Sequence, residues 1–188
     1  MTRGTILHSV ATAVRDLWGD DGLRDATERL PDETRTATTG ADFESLGFYP
    51  TRYILDWNVA VMDGPAGGDE REFRRTVARS IDLGFGRIRR VFLSFATPTL
   101  LAQRASELWR HDHTHGRLVL DPDESVPGRR RITLTGHPFV SNPLARMAFS
   151  EVLRRVLSLS RVRNVRETHS LKSATTGDSL VIVLTWDA

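Results

Sequence analysis

Apolar residues recur every three or four positions through most of the first half of the chain, and this spacing is typical of amphipathic helices. In residues 4–18 the apolar positions, Ile6 and Val10 among them, fall along one helical face. Residues 20–30 fit a second short helix that Pro31 ends. The next stretch, PDETRTATTG, has no apolar residue larger than alanine, so we predict a mobile connection there.

Three further helices are predicted downstream. Pro50 suits the first turn of one whose apolar stripe includes Tyr53 and Trp57. The glycine-rich turn GPAGGD then leads to Asp69, a residue type that caps helices, and Thr97 with Pro98 marks the start of the last helix in this half. The helix after Asp69 has its apolar positions at Phe73, Val77, Ile81, Phe85 and Ile88.

The last third of the chain changes to the pattern of strands. The runs GRLVL and RRRITLTG predict two strands, and Asn142 followed by Pro143 predicts the capped start of a helix. NVRETHSLKS and LVIVLTW predict two more strands, the last so apolar that it should be central in its sheet. We therefore predict one α+β domain, in which a helical N-terminal half (1–115) packs with a C-terminal ββαββ antiparallel sheet (116–188).

Composition excludes several classes of function. The 188 residues include no cysteine, so disulfides, thiolate zinc sites, iron–sulfur clusters and cysteine nucleophiles are excluded. The sequence has no run of about 18 apolar residues, the length that a helix needs to span a bilayer, and its N-terminus lacks the pattern of a secretory signal. We therefore expect a cytoplasmic protein without a membrane partner. The formal net charge is only +2, and acidic residues lie between the arginine clusters, so we expect no nucleic-acid partner.

Three histidines at alternate positions, His111, His113 and His115, are the strongest candidates for chemistry. In an extended segment they would share one side at a spacing of about 6 to 7 Å, so one zinc ion could reach two of them. Zinc also needs a third protein ligand, and Asp112 would point away from the histidines. The alternatives are a metal site and a solvent-exposed corner between helix and strand, and we favour the corner.

Several segments resemble a known family when taken in order. They are FYP, then GFGRIRRVFLSFATPTLLAQRASELWR, then GRLVL and RRITLTGHPF, followed by a long helix and a final strand pair. Together they resemble the myxobacterial paralogous domain family of unknown function, from about Gly4 to Trp186. More distantly the chain resembles the superfamily of four-vinyl-reductase domains, haem-based nitric oxide sensors and vesicle-tethering subunits. The resemblance implies an α+β domain for small-ligand sensing or protein association, often dimeric, with no catalytic residue.

The haem sensors use a Y-x-S-x-R motif against the haem carboxylates, and this sequence has no such motif. We therefore expect no cofactor, with haem and zinc as the two candidates weighed. The leading hypothesis is a non-enzymatic cytoplasmic ligand-binding or signalling module. The alternatives are a protein-interaction domain without a small ligand and, third, a metal-dependent enzyme using residues 111–115. A small apolar ligand would enter where the two halves meet, and the candidate residues there are Trp57, Phe85, Phe92, His137 and Phe139. The alternative, that these residues are plain core, is the one we favour for the positions themselves.

The segment from Ile81 to Phe95 has apolar residues on more than one helical face. One explanation is a homodimer in which two such helices pair, and the other is a wholly buried central helix. We favour the dimer, because the helical half has more apolar surface than one small sheet can cover. The predicted interface residues are Ile81, Phe85, Ile88 and Phe92.

Overall fold

The computed structural model describes residues 1–84, 97–121, 126–160, 162–175 and 177–187. These residues form six helices and two antiparallel sheets, which confirms the predicted α+β class. The chain divides into two compact units, Met1–Gly84 and Phe85–Ala188, and each is considered by itself. In the described parts of the chain, no helix is long and apolar enough to cross a membrane.

The first unit contains four helices and a small sheet. Its elements are β1 (Thr2–Arg3), α1 (Gly4–Glu28), α2 (Asp32–Thr39), β2 (Phe48–Tyr49), α3 (Arg52–Asp63) and α4 (Glu70–Gly84), with β1 antiparallel to β2. Helix α1 is interrupted at Gly19, whose φ of 72° and ψ of −168° are not helical. Glycine adopts such a backbone without the clash of a Cβ atom, so the two predicted helices meet at this break.

Helix α2 corrects the prediction of a mobile connection over PDETRTATTG. Asp32 and Glu33 lie in its first turn, where negative charge is favourable to the helix dipole. Its inward side is made of threonines: Thr34 is 1% exposed and donates a hydrogen bond to Asp56 Oδ2 at 2.5 Å. The segment is ordered by polar contacts with α3, a source of stability that hydrophobic spacing does not register.

The remaining helices of this unit follow the sequence prediction. Tyr53, Trp57 and Val61 of α3 are buried, and so are Phe73 and Val77 of α4. The Asp69 carboxylate caps α4 by accepting hydrogen bonds from the backbone N–H groups of Arg71 and Glu72. The part of the predicted helix that continues past Gly84 lies outside the described residues.

The described residues of the second unit form the predicted four-stranded sheet and two helices. Its described elements are α5 (Pro98–Asp112), β3 (Arg117–Leu120), β4 (Arg129–Thr135), α6 (Pro143–Ser158), β5 (Arg163–Lys172) and β6 (Ser179–Asp187). The strand order is β3-β4-β6-β5 and every neighbouring pair is antiparallel, so the last strand is central, as predicted. Thr97 caps α5 and Asn142 caps α6, each with proline in the first turn.

The sheet buries one of its two faces. Leu180, Ile182 and Leu184 of β6 are buried, whereas Val181 and Val183, which alternate with them, are half-exposed. The buried side packs with residues of both helices; its core is Leu101, Trp109, Leu118, Ile132, Leu134, Val140, Leu157, Leu180, Ile182 and Leu184. Helices α5 and α6 therefore lie over one face, and the described residues on the other face are exposed or half-exposed.

One charged residue of α6 is buried. Glu151 is only 1% exposed. Arg154 offsets this charge by donating two hydrogen bonds to the Glu151 carboxylate, at 2.8 and 2.5 Å. A buried carboxylate is tolerated when an arginine pairs with both of its oxygens.

Candidate imidazole and aromatic site

Two turns of the second unit bring two histidines together. One turn leaves β4 through Gly136, with a φ of 65°, and places His137 before α6. The other joins α5 to β3 and includes His113 and Gly116. A Cβ atom on Gly116 would lie 2.9 Å from Leu134 Cδ1 and 3.0 Å from His137 Cβ, so only glycine permits this close approach.

Five side-chain rings lie close together where these two turns meet. We call them the His137 cluster: Trp109, His113, His137, Phe139 and Phe149. The ring of His113 stacks on Trp109 with centroids 4.1 Å apart. The ring of His137 meets the others edge to face, at 4.7 Å from Phe149, 5.8 Å from Trp109, 5.9 Å from Phe139 and 6.4 Å from His113. These separations are those of aromatic rings in direct contact.

Hydrogen bonds fix the orientation of the cluster. The indole Nε1–H of Trp109 donates to the backbone oxygen of His115 at 2.8 Å, which holds the α5–β3 turn against the helix. The backbone N–H of Phe139 donates to His137 Nδ1 at 3.3 Å. Because Nδ1 accepts this bond, the proton of the neutral imidazole lies on Nε2.

The Nε2 atom of His137 is the unusual feature of the cluster. The residue is 4% exposed, and Nε2 has no hydrogen-bond partner among the residues that the structure describes. A buried donor without an acceptor costs about 1 to 3 kcal/mol. Such a group commonly meets a ligand or an ordered water, so His137 offers a hydrogen bond that the described chain does not use.

Both histidines are neutral over the physiological range. Burial lowers the pKa of His113 from 6.5 to about 3, and the positive charge that His137 would carry lowers it further. Burial likewise lowers the pKa of His137 from 6.5 to about 4, with His115 as the next cause. The cluster therefore presents an uncharged N–H donor in an aromatic surrounding.

The three predicted alternate histidines do not act together. His111 is exposed beside Asp112, with 2.8 Å between Nδ1 and Oδ1, and His115 is also exposed. His113, in contrast, packs on Trp109, which corrects the expectation that this whole corner is solvated. Across the described ranges no group of three or more metal-ligating side chains could hold an ion.

The predicted ligand residues fall into three groups. His137 and Phe139 are in contact within the second unit. Trp57 lies in the core of the first unit, fully buried, and its Nε1–H donates to Thr38 Oγ1 at 3.1 Å. Phe85 and Phe92 lie outside the described residues. The sequence prediction missed Trp109 and Phe149 as ring partners of His137. The stretch WRHDH was the available signal for Trp109, and the sequence offered none for Phe149.

The predicted dimer interface is described at one position. Ile81 is half-buried on α4. The other interface residues, Phe85, Ile88 and Phe92, lie outside the described residues. The dimer therefore stays a prediction.

Comparison with solved structures identifies the class of fold as that of the H-NOX domains. An oxygen-binding H-NOX domain related to soluble guanylate cyclases has a TM-score of 0.69 at 12% identity, covering 99% of this chain and 95% of that chain. A mutant H-NOX protein from K. algicida, in its Fe(II) unliganded form, has a TM-score of 0.65 at 12% identity, covering 100% and 97%. A substituted Tt H-NOX has a TM-score of 0.70 at 11% identity, covering 100% and 96%.

Sequence identities of 11 to 12% show a shared fold but do not show a shared function or ligand. The scan against protein-family models found no match, and neither did the search of curated proteins. The fold agrees with the distant part of the sequence resemblance, the superfamily that contains haem-based nitric oxide sensors.

Proposed function

We propose that this chain is a non-enzymatic sensory module that binds a small uncharged ligand at His137. The observation that carries the proposal is the buried Nε2–H of His137, which has no partner among the described residues. The H-NOX fold supports a sensory role, because the solved domains with this fold include an oxygen complex. We also propose membership of the myxobacterial paralogous domain family, on the sequence segments alone.

The chemistry of the cluster limits the class of ligand. Nε2 is a donor, so the ligand must present an acceptor such as a carbonyl or ether oxygen. Phe139, Phe149 and Trp109 surround the imidazole with aromatic rings, and such a surrounding disfavours a charged ligand that would have to lose its hydration. We therefore propose a small, mainly apolar molecule with one acceptor oxygen.

Haem is the ligand suggested by the solved domains, one of which concerns haem redox potential. The residues of this chain do not fit it. Haem iron takes an axial His, Cys, Met or Tyr, and this chain has no cysteine. The Y-x-S-x-R motif expected of the haem sensors is absent from this sequence, and the rings of His113 and His137 are in contact with other rings of the cluster.

Native mass spectrometry of freshly purified protein tests the proposal. We expect a retained organic mass in the wild type and in His115→Phe, because His115 is exposed and its backbone oxygen still accepts from Trp109. We expect that mass to be lost in His137→Phe, which keeps a ring but removes the donor. Circular dichroism would first establish that both variants fold.

Nitrogen-15 NMR of the His137 ring supplies a second readout. A ligand acceptor should shift the Nε2 resonance of the fresh protein relative to protein stripped by partial unfolding and refolding. Fresh protein with no bound mass and an Nε2–H in contact with one water would contradict the proposal. His137 would then be a hydrated structural residue.

A further inference from the structure

The uncovered face of the four-stranded sheet carries a pattern of its own. Its outward positions alternate with the buried core, and all are exposed or half-exposed. We call these residues the open sheet face: Arg117, Val119, Arg129, Arg131, Thr133, Thr135, Arg166, Thr168, Ser170, Lys172, Ser179, Val181, Val183 and Thr185.

Strand register places four of the cations of this face in its two end rows. Arg117, Thr135, Ser179 and Lys172 form one cross-strand row, so a cation stands on each edge strand. Arg129, Thr185 and Arg166 form the row at the other end. Three intervals of about 7 Å separate these rows, since alternate residues of a strand are spaced by that distance.

The described residues of this face carry more cations than carboxylates. Five of its side chains are cations: Arg117, Arg129, Arg131, Arg166 and Lys172. Asp121 pairs with Arg131 at 3.1 Å, and Asp187, held by Asn164 at 2.5 Å, is the second carboxylate described on this side of the sheet. Among the described residues, cations therefore exceed carboxylates on this face, although the formal net charge of the whole chain is only +2.

The centre of the face is made of small β-branched and hydroxyl side chains. Val119, Thr133, Val181 and Ser170 form one row, and Val119 is 40% exposed. The outward positions include no aromatic residue. Sheets that bind single-stranded nucleic acid typically stack bases on aromatic side chains, and this face has none, which favours a protein partner over a nucleic acid.

We propose that the open sheet face is a docking surface for an acidic protein partner. The partner would place carboxylates against both basic ends and apolar atoms against the central valines, an arrangement that complements the face in charge and polarity. A second copy is disfavoured as the occupant through the same face, because its cations would meet like charges. The inference does not depend on a ligand at His137.

Binding of a fluorescent poly-L-glutamate peptide by the full chain tests the proposal. The face variant Arg117→Glu/Arg166→Glu/Lys172→Glu reverses three exposed cations at both ends of the face. The matched control Arg24→Glu/Arg71→Glu/Arg75→Glu makes the same change in net charge on exposed helical residues of the first unit. We expect the face variant to raise the Kd by about tenfold or more and the control by about twofold or less.

Amide NMR shifts then locate the bound peptide. Shifts confined to β3, β4, β6 and β5 would support the proposal. An equal loss of binding in both triple variants would overturn it, because the attraction would be one of net charge. A thymidine oligonucleotide that binds more tightly than poly-L-glutamate and is lost in the face variant would also overturn it and indicate a nucleic-acid surface. Circular dichroism of each variant controls for folding.

Discussion

Moderate acid should destabilise this protein through His113 and His137. Their folded-state pKa values, about 3 and about 4, lie below the ordinary value of 6.5. Between these values the unfolded chain binds more protons than the folded chain, so the free energy of unfolding falls as the pH falls. The loss begins as the pH drops through 6.5 and continues until each folded histidine is protonated.

The size of the effect follows from the shifts. The free energy of unfolding falls by about 1.4 kcal/mol for each pH unit over which the unfolded chain binds one more proton than the folded chain. Each histidine therefore lowers this free energy by about 2 kcal/mol at about pH 5. The two imidazoles repel each other when charged, so their effects are not independent. We expect the free energy of unfolding to fall by about 2 to 4 kcal/mol between about pH 7 and about pH 5.

Urea unfolding at the two pH values measures this change. The double variant His113→Gln/His137→Gln should lose most of the dependence, because glutamine does not titrate. The matched control His8→Gln/His111→Gln replaces two exposed histidines and should keep the dependence. The reasoning is refuted if wild type and His113→Gln/His137→Gln lose the same free energy between the two pH values.

Four substitutions test the hydrogen bonds and the packing, each by chemical denaturation. Thr38→Val removes the acceptor of the buried Trp57 indole and should cost about 1 to 3 kcal/mol; an unchanged midpoint would contradict this hydrogen bond. Asn142→Ala removes the cap on Ala145 N at 3.0 Å and should cost about 1 kcal/mol, and a loss below a few tenths would count against the cap. Ile182→Asp should abolish cooperative folding and Val183→Asp should not, because only Ile182 faces the core; equal effects would contradict the strand register.

Local signals account for most of what could be predicted. Asp69, Thr97 and Asn142 cap helices where expected, because capping depends on a residue and the three that follow it. The unbroken apolar run of the last strand predicted a central position, which the pairing with β4 and β5 confirms. These patterns depend only on residues close together in the sequence, so the caps and the central strand could be predicted from the sequence alone.

The features that were predicted wrongly depend on residues that are distant in the sequence. Helix α2 is ordered by Asp56 and Trp57, which lie 22 and 19 residues from the threonines that they contact. Likewise His113 is half-buried and stacks on Trp109 in a turn that meets the His137 turn at Gly116. Spacing along the chain does not reveal such convergence, so the candidate site could be anticipated at His137 and Phe139 but not as a cluster.

One backbone group links the two properties proposed for His137. The Phe139 N–H bonded to Nδ1 leaves the proton on Nε2, so the free position of the ring is a donor. Protonation adds a hydrogen at Nδ1, where it would face the Phe139 N–H and break that bond. A neutral ligand would therefore bind at Nε2, whereas protonation in acid takes place at Nδ1, on the other side of the same ring. A bound acceptor should raise the stability at neutral pH by mass action, while the acid transition should still require the loss of the Phe139 hydrogen bond.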